Sequence, residues 1–444
     1  MTRPACFRKN TGLLPTAQIH RSSWGANLDF TSKTLNGATI SNVDLTNTIF
    51  TNASLNGVKS SGITFTAGSP PLFTAGSGYV INAGFLVGPS VDLSGASMRG
   101  VDLSGQNLTS AVFVNADLSG ANLYATTLSY TTFSGATFIN IKSGGRIASV
   151  SQPTLPSSDY KLVANGYNES TPGSGFQRYI VGPGANCRAA DFSGALFDRV
   201  DLSGVEFSGA NFTNVASGIM RNVPILSSLP AGVGLVSGTS TQAVESQDPS
   251  YNNALYFVGP YANLAGAFLK NATLQNVNVT GTNFTGADFN GIASSGLIDS
   301  SLNPARLPSA SYFIRGGYIF GPTVNLSGGV FTGLDLSNSI LTGSNLRNAN
   351  FANANINNCN ILNANLSGST MTGAKTSQIT YQGYDYGDAP SGQDPSMPTS
   401  YRYVYSSAAQ TGYIVGPYVD ISGANLTGAS LAYTNLTGVN LVNA

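Results

Sequence analysis

Charge is what this chain has least of. Of its 444 residues only 20 are Lys or Arg and 20 are Asp or Glu, 9% of the total, against roughly 25% in ordinary domains. The two signs cancel, so no long-range field draws nucleic acid or an anionic membrane to the surface. There is one histidine, His20. A Ser-His-Asp triad would have to be assembled around it, outside the regular part of the chain, and none is predicted. Three cysteines, Cys6, Cys187 and Cys359, are spread too far apart in sequence to suggest a disulfide framework or a metal pair. Cys187 and Cys359 fall at inward positions of the pattern described below and are expected to be packed free thiols. Long apolar runs are absent too, and nothing approaches the roughly 18 residues of a membrane span. The opening MTRPACFRKN lacks the apolar stretch of a secretory signal. Arg3, Arg8, Lys9 and Arg21, with no acid before Asp29, give it a faint transit-peptide character, but residues 1–24 are read as a cap or disordered segment of a soluble protein.

What is present is a period of five. From Val91 the chain reads VDLSG ASMRG VDLSG QNLTS AVFVN ADLSG ANLYA TTLSY TTFSG ATF. Each unit has an apolar centre (Leu93, Met98, Leu103, Leu108, Phe113, Leu118, Leu123, Leu128, Phe133, Phe138), usually with Ala, Val or Thr two residues before it. Five matches neither the strand period of two nor the helical 3.6, so the chain must turn at every unit. One buried side chain per short turn makes a solenoid. The 43 units fall into six tracts at about 28–57, 91–141, 185–215, 262–292, 324–374 and 419–444.

The tracts begin and end alike. At the next expected centre after each of the first five, the apolar residue becomes a hydroxyl: Ser60, Ser143, Ser217, Ser294 and Thr376. A buried hydroxyl is disfavoured, so the ladder is expected to stop there. Each later tract follows a Gly-Pro pair: Gly88-Pro89, Gly182-Pro183, Gly259-Pro260, Gly321-Pro322 and Gly416-Pro417. Its first centre lies four residues after the proline every time. This marks one recurring device, in which Pro fixes φ and Gly is expected to permit an unusual turn. In the shortest excursion Tyr312–Ile314 and Tyr318–Phe320 flank Gly316-Gly317, a hairpin signal. The longer excursions are read as hairpins with enlarged tips at Asn165–Phe176, Gly238–Asn253 and Ser406–Thr411.

The A-(D/N)-L-x-x pattern resembles the pentapeptide repeat family. That resemblance implies an all-β, right-handed quadrilateral β-helix with four units per coil, the centre and the small residue before it pointing inward. The spacing of phenylalanines agrees: Phe30/Phe50, Phe113/Phe133, Phe192/Phe212 and Phe331/Phe351 each lie twenty apart. The hairpin-interrupted layout is similar to family arrays in which pentapeptide tracts alternate with an LP…GY-x-x-GP module. Residues 25–444 are predicted to form a single solenoid of about eleven coils, roughly 50 Å long at about 4.8 Å per strand, with β-hairpins projecting from its side. The core is assigned to Leu93, Leu103, Phe113, Leu118, Phe133, Phe192, Phe212, Phe331 and Phe351 among the centres.

No catalytic, cofactor or metal site is predicted. The outward Asp residues are scattered along the tracts, and paired carboxylates for glycan cleavage are not legible. Asp385, Asp388 and Asp394 could offer oxygen ligands to Ca²⁺, but turn-forming Asp explains them better. The many N-x-S/T sequons follow from the repeat's own grammar. Gyrase-directed members of the family mimic DNA with an acidic rod, which the neutral charge here disfavours. The remaining expectation is a non-catalytic structural or protein-interaction solenoid, part of a larger assembly such as a particle coat or surface layer. A partner- or glycan-binding role through the hairpin tips is the alternative. The chain stops in register at Asn440–Ala444, and the unpaired edge there predicts end-to-end association.

Overall fold

A turn at every fifth residue needs a backbone conformation that most side chains resist. In the computed structural model, which describes residues 24–145, 151–167, 176–217, 220, 222, 229–239, 253–380 and 396–444, that conformation recurs along each tract. The Ala96 N–H donates to the Leu93 carbonyl at 3.1 Å and the Ala116 N–H to the Phe113 carbonyl at 3.1 Å, closing a tight turn after each centre. The residue second after the centre is left-handed, as at Gly95 (φ 68°) and Asn115 (φ 56°). Glycine and asparagine dominate these positions because they tolerate positive φ best. The glycine-rich, asparagine-rich composition is therefore the chemistry of the corners.

Between corners each unit contributes a short strand. The residue before the centre pairs in parallel with the residue twenty further on: Asp92 with Val112, Asp102 with Asn122, Asn345 with Asn365. Twenty residues is four units, so each coil has four sides. The inward side chains form the core, with Leu93, Leu103, Phe113, Leu118, Phe133, Phe192, Phe212, Phe331 and Phe351 all buried. The spaced phenylalanines meet ring to ring, Phe30 with Phe50 at 5.5 Å, Phe113 with Phe133 at 5.2 Å, Phe192 with Phe212 at 5.7 Å and Phe331 with Phe351 at 5.2 Å.

The small inward position also takes hydroxyls, for a reason absent from the sequence pattern. Thr131 Oγ1 donates to the Leu108 carbonyl, Thr282 Oγ1 to Gly259 and Ser344 Oγ to Gly321, each at 2.8 Å and each 23 residues back. Cys359 Sγ takes the same place over the Leu336 carbonyl at 3.1 Å. Cys187 is a buried centre, and burial pushes both thiols up to about 12.

The chain divides into two compact units, one comprising residues 1–191 with 200–210, the other 192–199 with 211–444. Within each, the ladder resumes across every excursion. In the first unit Lys59 pairs with Asp92 and Lys142 with Asn186. In the second, Ala216 pairs with Asn263, Ala293 with Asn325 and Lys375 with Asp420. The residue before each exit hydroxyl thus meets the residue before the first new centre, closing the ladder over the insertion.

The excursions begin as coil and end as hairpin. Thr64 pairs with Asp44 and Leu72 with Ile49, while Ile298 pairs with Asn278 and Arg306 with Asn283. These segments add strands to the coil faces through longer corners before the hairpin starts. Five antiparallel hairpins follow: Val80–Asn82 with Phe85–Val87, Lys161–Ala164 with Arg178–Val181, Gly234–Thr239 with Asn253–Val258, Phe313–Arg315 with Tyr318–Phe320, and Arg402–Ser406 with Thr411–Val415. Gly238 and Asn253 are paired strand residues, so the third tip begins inside the bounds that the sequence suggested.

Candidate functional site

The five junctions between hairpin and coil concentrate the unusual residues of the sequence. At the exit, the hydroxyl is a docking point for the returning strand. Ser60 Oγ accepts the Leu86 N–H at 2.7 Å, Ser143 Oγ the Ile180 N–H at 2.8 Å, Ser217 Oγ the Phe257 N–H at 3.1 Å and Ser294 Oγ the Ile319 N–H at 2.7 Å. Each donor lies three residues before the re-entry proline. At the fifth junction Thr376 Oγ1 donates to the Ile414 carbonyl at 2.6 Å. This corrects the expectation that a hydroxyl has little reason to be buried there. Ser60, Ser294 and Thr376 are buried because the hairpin strand needs a partner where the ladder has none.

Re-entry is locked by a tyrosine. The residue immediately before the first hairpin strand is Tyr79, Tyr160, Val233, Tyr312 or Tyr401. The four hydroxyls donate to the carbonyls of Pro89 (3.0 Å), Pro183 (2.8 Å), Pro322 (3.3 Å) and Pro417 (2.9 Å). Their rings lie against the glycine of the Gly-Pro pair. A Cβ at Gly88, Gly182, Gly321 or Gly416 would stand 2.4, 2.2, 2.1 or 2.2 Å from the ring, and at Gly259 it would stand 2.8 Å from Val233 Cγ2. None of the five glycines has positive φ. Glycine is there to admit the ring, not to permit an unusual turn, which corrects the sequence-based expectation.

A second tyrosine pins four of the five later tracts to their hairpins. Tyr179, Tyr256, Tyr318 and Tyr413 accept the N–H of the residue twelve further on, from Asp191 (2.7 Å), Phe268 (3.1 Å), Val330 (3.3 Å) and Asn425 (3.1 Å). Phe85 holds this position in the first hairpin. Burial raises the phenols of Tyr79, Tyr256, Tyr312 and Tyr401 and pushes Tyr160 and Tyr179 up to about 12. Their position directly before a β-rich run was the available signal for an internal role.

The profile of the pentapeptide repeats family matches in eight copies, at 25–59, 90–124, 116–140, 184–215, 261–291, 324–358, 336–373 and 419–444, together just over half of the chain. This chain belongs to the pentapeptide repeat family. Its fold is accordingly the right-handed quadrilateral β-helix of that family, here bearing hairpins. Among solved structures it is similar to HetL, a pentapeptide repeat protein involved in heterocyst differentiation regulation from the cyanobacterium Nostoc. That match has 17% identity over 80% of this chain and 93% of HetL, with a TM-score of 0.13. It is similar also to full-length QnrB1, a plasmid-mediated fluoroquinolone resistance protein, at 13% identity over 78% of this chain and 92% of that one, TM-score 0.10. No curated protein matches the sequence.

On this pentapeptide repeat chain the outward acids are structural. Asp92, Asp102, Asp117 and Asp335 each accept the N–H two residues on through Oδ1, at 3.0 to 3.1 Å. Asn107, Asn283 and Asn350 do the same, so either residue caps the corner. Asn side chains also ladder from coil to coil, as Asn345 Nδ2 to Asn325 Oδ1 at 3.0 Å and Asn355 Nδ2 to Asp335 Oδ1 at 3.0 Å. Among the described bridges no acid stacks on another, and Asp92 and Asp420 stack on Lys59 and Lys375. No group of three or more His, Cys, Asp or Glu among the described residues could hold a metal, and no described helix is long and apolar enough to cross a membrane. His20, Asp385, Asp388 and Asp394 lie outside the described residues.

Proposed function

We propose that this pentapeptide repeat protein is a non-catalytic scaffold that presents hairpin tips to protein partners, as a component of a larger assembly. The observation that carries this reading is the contrast between the two ends of each hairpin. Every base is bolted to the coil by equivalent backbone, hydroxyl and tyrosine or valine contacts. The tips differ freely, from Ala83-Gly84 and Gly316-Gly317 through the four residues 407–410 to the longer spans between Ala164 and Arg178 and between Thr239 and Asn253. A constant base under a variable tip is the arrangement that suits recognition on a rigid support. The outward columns mix Asn, Asp and Lys, with no acid stacked on another among the described bridges, which speaks against an acidic DNA mimic.

The test is an interaction screen with the intact chain and with a variant whose second, third and fifth tips are replaced by Gly-Gly. Partners captured by the intact chain and lost by the variant, with unchanged circular dichroism, are the expected result. Partners held equally by both forms would overturn the assignment to the tips. Inhibition of gyrase supercoiling by the purified chain would overturn the scaffold reading itself.

A further inference from the structure

The fourth junction differs from the other four at one inward position. Seven residues after the re-entry proline stands Ala96, Ala190, Ala267 or Ala424 at the other junctions, and Gly329 here. The Phe331 ring folds onto this glycine, and a Cβ added there would meet it at 2.2 Å. Beside Gly328 and Gly329 lies a groove of about 280 Å³, lined also by Thr273, Gln275, Ser295, Asn325 and Tyr318. It sits within the second compact unit, where the strand Tyr318–Phe320 docks through Ser294 and the new tract begins.

The lining is polar and neutral, in keeping with the chain as a whole. It carries no charged residue. Asn283 and Thr285 on another face close a corner and ladder between coils. Here the pairings Thr273↔Ala293 and Gln275↔Ser295 engage backbone only, leaving the hydroxyls of Thr273 and Ser295 and the Gln275 amide for a ligand. Asn325 uses its Oδ1 for Ser327 and Asn345, which leaves its Nδ2 as a donor. Tyr318 accepts the Val330 N–H through its hydroxyl and lines the groove with its ring edge-to-face on Phe331 at 5.0 Å. Neutral donors and acceptors beside one aromatic side chain, in a groove just below the roughly 300–1,000 Å³ common for small-molecule sites, match the hydroxyls of a sugar ring. A charged ligand would find no counter-ion, and a hydrocarbon would leave the amides and hydroxyls unpaired.

We infer that the groove between Gln275, Ser295, Asn325 and Gly328-Gly329 binds a neutral glycan, one or two sugar rings at a time. The site is separate from the hairpin tips and does not depend on their role. The experiment is calorimetric or NMR titration of the full chain with neutral gluco-, manno-, xylo- and galacto-oligosaccharides, and with glucuronate as a charged counterpart. At least one neutral series should bind, with glucuronate at least ten-fold weaker. Gln275→Ala and Ser295→Ala should each weaken binding five-fold or more, while melting stays that of the parent. Thr273→Trp, at an exposed position, should fill the groove and abolish binding. Absence of binding by every neutral series overturns the inference. So does binding that survives Thr273→Trp, or that leaves the chemical shifts of Gln275 and Ser295 unmoved.

Discussion

Leu118 and Asp117 are neighbours with opposite fates, and they test the assignment of inside and outside directly. Leu118 is fully buried, whereas Asp117 pairs across the ladder and caps a corner. Leu118→Asp should unfold its coil, since a buried unpaired carboxylate exceeds the roughly 2–5 kcal/mol of a leucine cavity. Asp117→Asn should leave the melting temperature within a degree or two, because Asn keeps the Oδ1 acceptor that the corner uses. Equal shifts in a thermal melt would contradict the register. The acids also predict a pH response. Hydrogen bonds from the side chain and then the backbone of the residue two further on hold Asp44, Asp102, Asp117 and Asp335 below the usual carboxylate range. A depressed folded value means that the contribution is complete above the unfolded value of about 3.9 and is lost as pH falls through the folded one. Melts should therefore be flat from pH 7 to about 5 and decline below about 4. Asp→Asn at two or three of these corners should shrink that decline. An undiminished decline would place its origin elsewhere.

At the scale of the element, the hairpin base is the unit that was half legible. The hydroxyl exits, the Gly-Pro pairs and the four-residue offset were all visible as a pattern. Their purpose was not, because it depends on which atoms meet across 10 to 40 residues of intervening chain. Ser294 needs Ile319, and Gly321 needs Tyr312, and nothing in a local window pairs them. Gly321→Ala tests the geometry. With a Cβ 2.1 Å from Tyr312 Cδ1, the ring or the strand must move, at a cost of about 1–3 kcal/mol. The double variant Gly321→Ala with Tyr312→Ala should recover part of that loss in urea unfolding. No recovery would mean that the glycine answers to something other than the ring. The same reasoning separates base from tip. Replacing residues 240–252 by Gly-Gly should leave the β-sheet circular dichroism intact, since the Gly234–Thr239 and Asn253–Val258 pairing remains.

Across the whole molecule, stability rests on neutral contacts. The described ion pairs include Lys59–Asp92, Arg99–Asp117 and Arg188–Glu206, all with exposed basic partners, and such pairs contribute little. The melting temperature should therefore change by only a few degrees between 50 mM and 1 M sodium chloride. A large salt-induced loss would show that charge holds the fold after all.

A period of five with an apolar centre determines a solenoid that turns at every unit, because each unit repeats the same local problem of one inward side chain and one left-handed corner. Gly95 and Asn115 solve that problem from neighbouring residues alone, so the family, the core and the register can be read along the chain. The docking of the hairpins, the reason for Ser60 or Gly88, and the neutral groove beside Gly329 were decided by tertiary structure. Each arises where two distant segments share one space, and the hydrogen bond or steric contact that fixes the residue belongs to neither segment alone.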